Sequence, residues 1–268
     1  MTQNKSIGRV YVFDSTSLPA SSFHVTHAPI TRPLEDECLG LYDDKMGEDI
    51  AEMQANLQRP GSGQFDGTVL SFDRLLDVSG YRDKALIVFD MKYSTYQVLR
   101  ARMNGDPDNH MLTRCTNLIA FAETREGDFV FGHRTVRHMG GAYLPPAGFS
   151  THQGKVRGDF FTTLSREELS EELGVPTDDV QLSYSGMSSG EDSRNITVVT
   201  HAILPYTKKE VEEAFTNLNM RLKNEGKPTE HSHLLYVPGD EKSVGSFLSG
   251  AYTGELNPFK GIYFEDGY

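Results

Sequence analysis

The chain is poor in cysteine, in long apolar runs and in positive charge. Its 268 residues hold two cysteines, Cys38 and Cys115, which lie far apart and belong to no CxxC or Cys/His cluster. A disulfide framework is not implied, and a reduced, cytoplasmic setting is expected. The longest apolar runs, such as Leu118 to Ala122, fall far below the ~20 residues that span a bilayer. Met1 to Phe13 has one lysine and the short run Val10-Tyr11-Val12-Phe13, with no signal-peptide core behind it. A soluble protein with no membrane partner is expected. Lys plus Arg is 26 and Asp plus Glu is 38, a net charge of −12. Without a basic footprint, nucleic acid is set aside as a partner, and anionic membrane surfaces with it. A small anionic substrate is still open, because a local cation or metal ion can invert the field. No repeat of roughly 20–50 residues is visible, which sets aside solenoids and propellers.

What is present suffices for a folded core: 37% of the residues are hydrophobic and 10% aromatic. Arg9 to Phe13 and Phe23 to Thr26 read as short strands. Met46, Ile50, Met53 and Leu57 recur at helical spacing, and Arg59-Pro60-Gly61 stops that helix. Gly67 to Phe72 and Ala85 to Phe89 read as strands. The turn-rich stretch Asn104 to Asn109 is the best linker candidate. It divides an N-terminal α+β accessory domain, 1–105, from a second domain, 111–268. In the second, Leu118 to Ala122 and Asp128 to Gly132 are strands joined by a hairpin turn, Thr124 to Gly127. A helix runs from about Phe160 to Leu173, with Gly174 as its C′ residue. A strand at Asn195 to Leu204, a helix at Glu210 to Leu222, a strand at His233 to Val237 and a helix from Lys242 complete an α/β arrangement with a mixed sheet.

The segment Ser165 to Val175 (SREELSEELGV) carries the chemistry. Glu168, Glu171 and Glu172 are related by three and four residues and share one side of a helix. Like charges at that spacing repel, and a hard divalent cation such as Mg²⁺ would offset the repulsion. A solvated acidic face is the other reading, and Ser165 with Glu168 also fits a capping box. Arg134, Arg137 and Lys155 are local basic points suited to substrate phosphate, or plain solvated loop residues. Gly148 to Lys155 is one residue too long for a P-loop, and no GxSxG elbow occurs. His231 and His233 alternate on one face of the expected strand, where metal ligation competes with ordinary surface or core roles.

The run Glu168-Leu169-Ser170-Glu171-Glu172-Leu173-Gly174-Val175 matches, without a gap, the second half of the signature of the Nudix hydrolases. Tyr143-Leu144-Pro145-Pro146-Ala147-Gly148 resembles the loop that leads into that signature, and Phe129 to Arg134 resembles the strand before it. The resemblance covers roughly 111 to 250. It departs in three places: Glu167 stands where the family has arginine, with Arg166 one residue earlier; Ser150 to Arg157 contains an insertion; and the first glutamate of the signature aligns with Asp159, which also fits an N-cap. The resemblance implies a Nudix-type α/β/α sandwich with a mixed sheet, preceded by a smaller, mostly β N-terminal domain. It implies that Glu168, Glu171 and Glu172 hold Mg²⁺ (or Mn²⁺), and that Glu168, Glu171 and Glu230 are catalytic, Glu230 being preferred to Glu191 as the later-loop acid. The implied activity is Mg²⁺-dependent hydrolysis of the pyrophosphate bond in a nucleoside diphosphate linked to another moiety. A non-catalytic Nudix-fold module that binds a nucleotide or protein is the alternative, and an isomerase on the same scaffold is a third. Gln64-Phe65-Asp66-Gly67, Arg74-Leu75 and Tyr93 to Tyr96 resemble the extra N-terminal domain of Nudix proteins that hydrolyse sugar nucleotides. They suggest a nucleotide-sugar substrate and leave a homodimer open.

Overall fold

The computed structural model describes residues 10–12, 18–19, 24–27, 44–58, 67–77, 84–92, 98, 116–135, 141–149, 160–189 and 196–251. Both cysteines, the linker candidate, Arg137, the 150–157 insertion with Lys155, Asp159 and Glu191 lie outside the described residues.

Near-continuous apolar runs, buried on both faces, build the central sheet. The strands β6 (Thr116–Glu123) and β7 (Asp128–Arg134) form the expected hairpin, closed by Gly127 N–H donating to the Thr124 carbonyl at 2.9 Å. β11 (Ile196–Ile203) lies parallel to β6, and β12 (His231–Pro238) lies antiparallel to β7. β10 (Gln181–Ser189) pairs antiparallel with β11 and carries β1 (Val10–Val12) and β2 (Leu18–Pro19) on its other edge. The lead-in 143–149 forms two short strands, β8 (Tyr143–Leu144) on β7 and β9 (Ala147–Phe149) on β6. The result is a nine-stranded mixed sheet whose main path runs β1-β10-β11-β6-β7-β12. A separate three-stranded sheet holds β3 (His24–His27), β4 (Thr68–Asp77) and β5 (Lys84–Lys92) in the order β3-β5-β4. The helix α1 (Asp44–Leu57) belongs to the same N-terminal part and buries Ile50.

Helices cover both faces of the large sheet, so the fold is an α/β/α sandwich. On one face, α2 (Phe160–Leu173) and α3 (Lys208–Asn224) pack Leu169, Leu173, Val211 and Phe215 against Ala120, Ala122, Val130 and Leu234. On the other, α4 (Glu241–Ala251) packs Val244 against Phe121, Phe129, Phe131 and Val237. The parity is strict: even residues of β6 and β7 face α2 and odd residues face α4. Among the described residues no helix is long and apolar enough to cross a membrane.

Local chemistry sets the helix ends. Gly174 ends α2 at φ +74°, with its N–H donating to the Ser170 carbonyl at 3.1 Å. A Cβ there would also press into the Ala214 carbonyl of α3, so a glycine serves both the turn and the helix contact. Thr207 and Glu210 cap α3 reciprocally. Ser165 is no N-cap: it sits inside α2, buried, and its hydroxyl donates to the Phe161 carbonyl at 2.7 Å. The capping-box reading of Ser165 and Glu168 is therefore corrected. β10 carries no clear strand signal in the sequence, because a bulge between Tyr184 and Gly186 breaks its two-residue period.

Candidate active site

α2 carries a polar stripe where a helix facing a sheet ordinarily carries apolar side chains. Ser165, Glu168 and Glu172 follow at helical spacing along the side turned to the even face of the sheet. Ser165 lies within hydrogen-bond reach of Thr200 on β11, at 3.0 Å between hydroxyl oxygens. Glu172 is only 3% exposed, Glu168 is half-buried and Glu171 is exposed. Leu164, Leu169 and Leu173 flank the stripe in the core.

Two glycines make room for these groups. A Cβ on Gly148 of β9 would overlap the Glu168 carboxylate, and a Cβ on Gly132 of β7 would overlap the His231 ring. Both are close approaches that any larger residue would block. His231 occupies the space beside Gly132 and places Nε2 at 2.8 Å from Glu172 Oε2. The Ala147 N–H of β9 donates to the other oxygen, Oε1, at 3.3 Å. Burial pulls the His231 pKa down to about 4, so at neutral pH the contact is a hydrogen bond from an uncharged ring.

The electrostatics are those of crowded carboxylates. Burial, then the negative charges of Glu172, Glu171 and Glu230, raise the Glu168 pKa to about 9. Burial and then Glu230 push Glu172 upward, against the opposing pull of the Ala147 N–H and Arg134. Burial and mutual repulsion hold both carboxyl groups above the ordinary carboxylate range. Desolvated like charges one turn apart cannot both ionise without a cation.

Arg134, the last residue of β7, forms an ion pair with Glu230 at 2.7 Å. Thr135 locks this junction, because its N–H donates to the Glu230 carbonyl at 2.8 Å and its hydroxyl reaches the Thr229 and Glu230 carbonyls. The structure thus brings together Glu168, Glu172, Glu230 and Arg134, with Glu171 at the exposed rim. Arg166 turns away: its Nη2 donates to the Val180 carbonyl at 3.0 Å.

His231 and His233 do not share a face. A bulge between His231 and Leu234 sets both Ser232 and His233 opposite His133. His233 stacks on His133 at 4.6 Å between ring centroids, on the α4 side, and only His231 reaches the carboxylates. The role of His231 is not legible from sequence alone, because its ring lies beside Gly132 on the paired strand, a contact set by register. Beside His231 lies an open groove of about 900 Å³, lined also by Phe215, Asn219, Met220 and Thr229.

The donor set can be tested against a divalent cation. Among the described residues no three His, Cys, Asp or Glu side chains converge as a preformed cage. Two carboxylates do converge, and both offer hard oxygens. Mg²⁺ is commonly held by one or two carboxylates with waters and substrate phosphates completing the shell, so Glu168 and Glu172 fit it.

No family model matches the chain, and no curated protein matches it. Among solved structures it is similar to DR0079 from Deinococcus radiodurans, at 15% identity and a TM-score of 0.37, over 54% of this chain and 79% of that one. It is similar to the NUDIX domain of Shewanella oneidensis NrtR complexed with ADP ribose, at 12% identity and a TM-score of 0.30, over 52% and 82% of the two chains. It is similar, too, to a NUDIX hydrolase from Nitrosomonas europaea, at 10% identity and a TM-score of 0.31, over 54% and 83%.

Proposed function

We propose that the chain is a divalent-metal-dependent pyrophosphohydrolase that cleaves a nucleoside diphosphate linked to another moiety, a nucleotide sugar among them. The observation that carries this reading is the pair Glu168 and Glu172, one half-buried and one buried, which crowd each other above the ordinary carboxylate range and are seated against Gly148 and Ala147. Burying two carboxylates one turn apart is costly for folding alone. A site that gains a cation regains that cost, and the half-signature Glu168 to Val175 supports the same reading.

Glu168 and Glu172 would hold Mg²⁺ or Mn²⁺, with Glu171 at the rim able to reach a further ion or its waters. Bound there, the ion would neutralise phosphate charge and lower the pKa of a water. Arg134 would supply the fixed positive charge for a phosphate oxygen. Its Nε is buried and has no partner among the described residues, so it keeps a donor to offer. A phosphate at Arg134 competes with Glu230 for the guanidinium and frees the Glu230 carboxylate to accept a proton from the attacking water. Arg137 and Lys155 belong to the same proposal as further phosphate contacts. A sugar nucleotide would give a nucleoside monophosphate and a sugar phosphate.

The test is product analysis by NMR on a panel of nucleotide sugars and other nucleoside diphosphate conjugates, with Mg²⁺ and with EDTA. Wild type is expected to release a monophosphate only with metal, and Glu172→Gln to lose that turnover. No turnover of any conjugate, with nucleotide binding retained, would favour the binding module, to which Glu167 in the arginine position already points.

A further inference from the structure

We infer that His231 is a positioning residue: its Nε2–H, together with the Ala147 N–H, fixes the Glu172 carboxylate in the orientation that receives the metal ion. The inference rests on the metal-site reading above and assigns a task to a side chain outside the carboxylate set.

A buried carboxylate can rotate about its last bond unless both oxygens are held. Here Oε1 takes the Ala147 N–H at 3.3 Å and Oε2 takes His231 Nε2 at 2.8 Å. Each donor is itself fixed. Ala147 lies on β9, opposite Ile119 of β6, and the preceding Pro146 carbonyl accepts the Ala120 N–H at 2.8 Å. His231 opens β12 opposite Arg134, and the Thr135 bonds to Thr229 and Glu230 pin the two residues before it. The ring is 2% exposed and fills the space that Gly132 leaves empty.

The tautomer follows from burial. Nδ1 is buried and has no hydrogen-bond partner among the described residues. A proton there would be a buried, unpaired donor, which is costly; a proton on Nε2 meets Glu172. The bulge after His231 gives the arrangement its selectivity. It turns Ser232 and His233 to the opposite face and leaves one imidazole, with one usable N–H, aimed at the acid. Partners of this kind hold metal-ligating carboxylates in place, and losing one typically weakens metal binding about 10- to 100-fold.

The experiment is titration of metal-free full-length protein with Mn²⁺, followed by electron paramagnetic resonance, on wild type, Glu172→Gln, His231→Leu and His231→Gln. Glutamine keeps a side-chain N–H at about the reach of Nε2, and leucine keeps bulk without a donor. Expected are Mn²⁺ binding by wild type, its loss in Glu172→Gln, an affinity about 10- to 100-fold weaker in His231→Leu and largely restored in His231→Gln. His231→Leu binding Mn²⁺ as wild type does, while Glu172→Gln fails to bind, would overturn the positioning role and leave the metal site standing. Absence of binding by wild type would overturn the site reading itself and the positioning role with it. Should His231→Leu not fold, ¹⁵N-NMR of the wild-type histidines decides: a protonated Nε2 and bare Nδ1 on His231, perturbed by Mg²⁺, supports the role. A protonated Nδ1, or indifference to Mg²⁺, contradicts it.

Discussion

The two faces of the large sheet use the same strands for different ends. Towards α4, the odd residues of β6 and β7 give a layer of rings: Phe121 meets Phe129 and Phe131 edge-on at 6.0 and 6.3 Å, and Phe131 meets Phe247 at 4.6 Å. Towards α2, the even residues include Gly132 and Arg134, and the opposing helix presents Ser165, Glu168 and Glu172. Both faces bury apolar area and stabilise; the α2 face also gives up packing at two glycines to seat a carboxylate and an imidazole. One residue of register separates them, so Arg134 faces Glu230 while its neighbour His133 stacks on His233. The lesson is that the aromatic layer on the α4 side can be altered without touching the carboxylates on the α2 side.

The largest separation should come from Glu172→Gln, expected to lower metal-dependent turnover by about 10³-fold while keeping the fold. Steady-state kinetics and circular dichroism together would check both halves. Phe131→Ala on the opposite face should do the reverse, costing about 3–5 kcal/mol of stability by chemical denaturation with the carboxylate site left in place. Gly148→Ala tests the seat of Glu168: the added methyl must displace that carboxylate, and kcat should fall about 100-fold. A fall of less than threefold would mean that the seat is not used.

Stability against pH sharpens the contrast further. The Glu168 pKa in the folded protein, about 9, exceeds its ordinary value of 4.5. The folded state therefore holds an extra proton, and the contribution is fully present below 4.5 and is lost as pH rises toward 9. In metal-free protein, Glu168→Gln should flatten that decline and raise Tm at pH 8, each 1 kcal/mol recovered being worth about 2–4 °C. Added Mg²⁺ should erase the difference by stabilising wild type through mass action. The smallest effect belongs to Arg166→Met, which removes the Nη2 bond to the Val180 carbonyl and should cost about 1 kcal/mol with turnover within about twofold of wild type.

Much of the sandwich was legible because its elements have clean periods. The helix Phe160–Leu173 and the strands around Leu118 and Phe129 emerge from apolar spacing, and Gly174 marks its own helix end. β10 was not legible, since its bulge shifts the parity of Leu182 and Met187. In the site, the spacing of Glu168 and Glu172 was readable, but its burial was not: periodicity places three acids on one side and does not say that Glu171 is exposed while Glu172 is enclosed. The ion pair of Arg134 with Glu230 and the bond from His231 to Glu172 join residues 96 and 59 positions apart. Such contacts follow from strand register, which a single sequence does not display. Arg166, near enough in sequence to serve the acids, is drawn instead to a carbonyl at the end of the loop after α2.

The most direct measurement is an anomalous difference map from crystals soaked in Mn²⁺ and a nucleoside monophosphate. A peak is expected within coordination distance of Glu168 and Glu172, with a phosphate oxygen turned toward Arg134. Carboxylates left bare, with manganese bound elsewhere or nowhere, would contradict it.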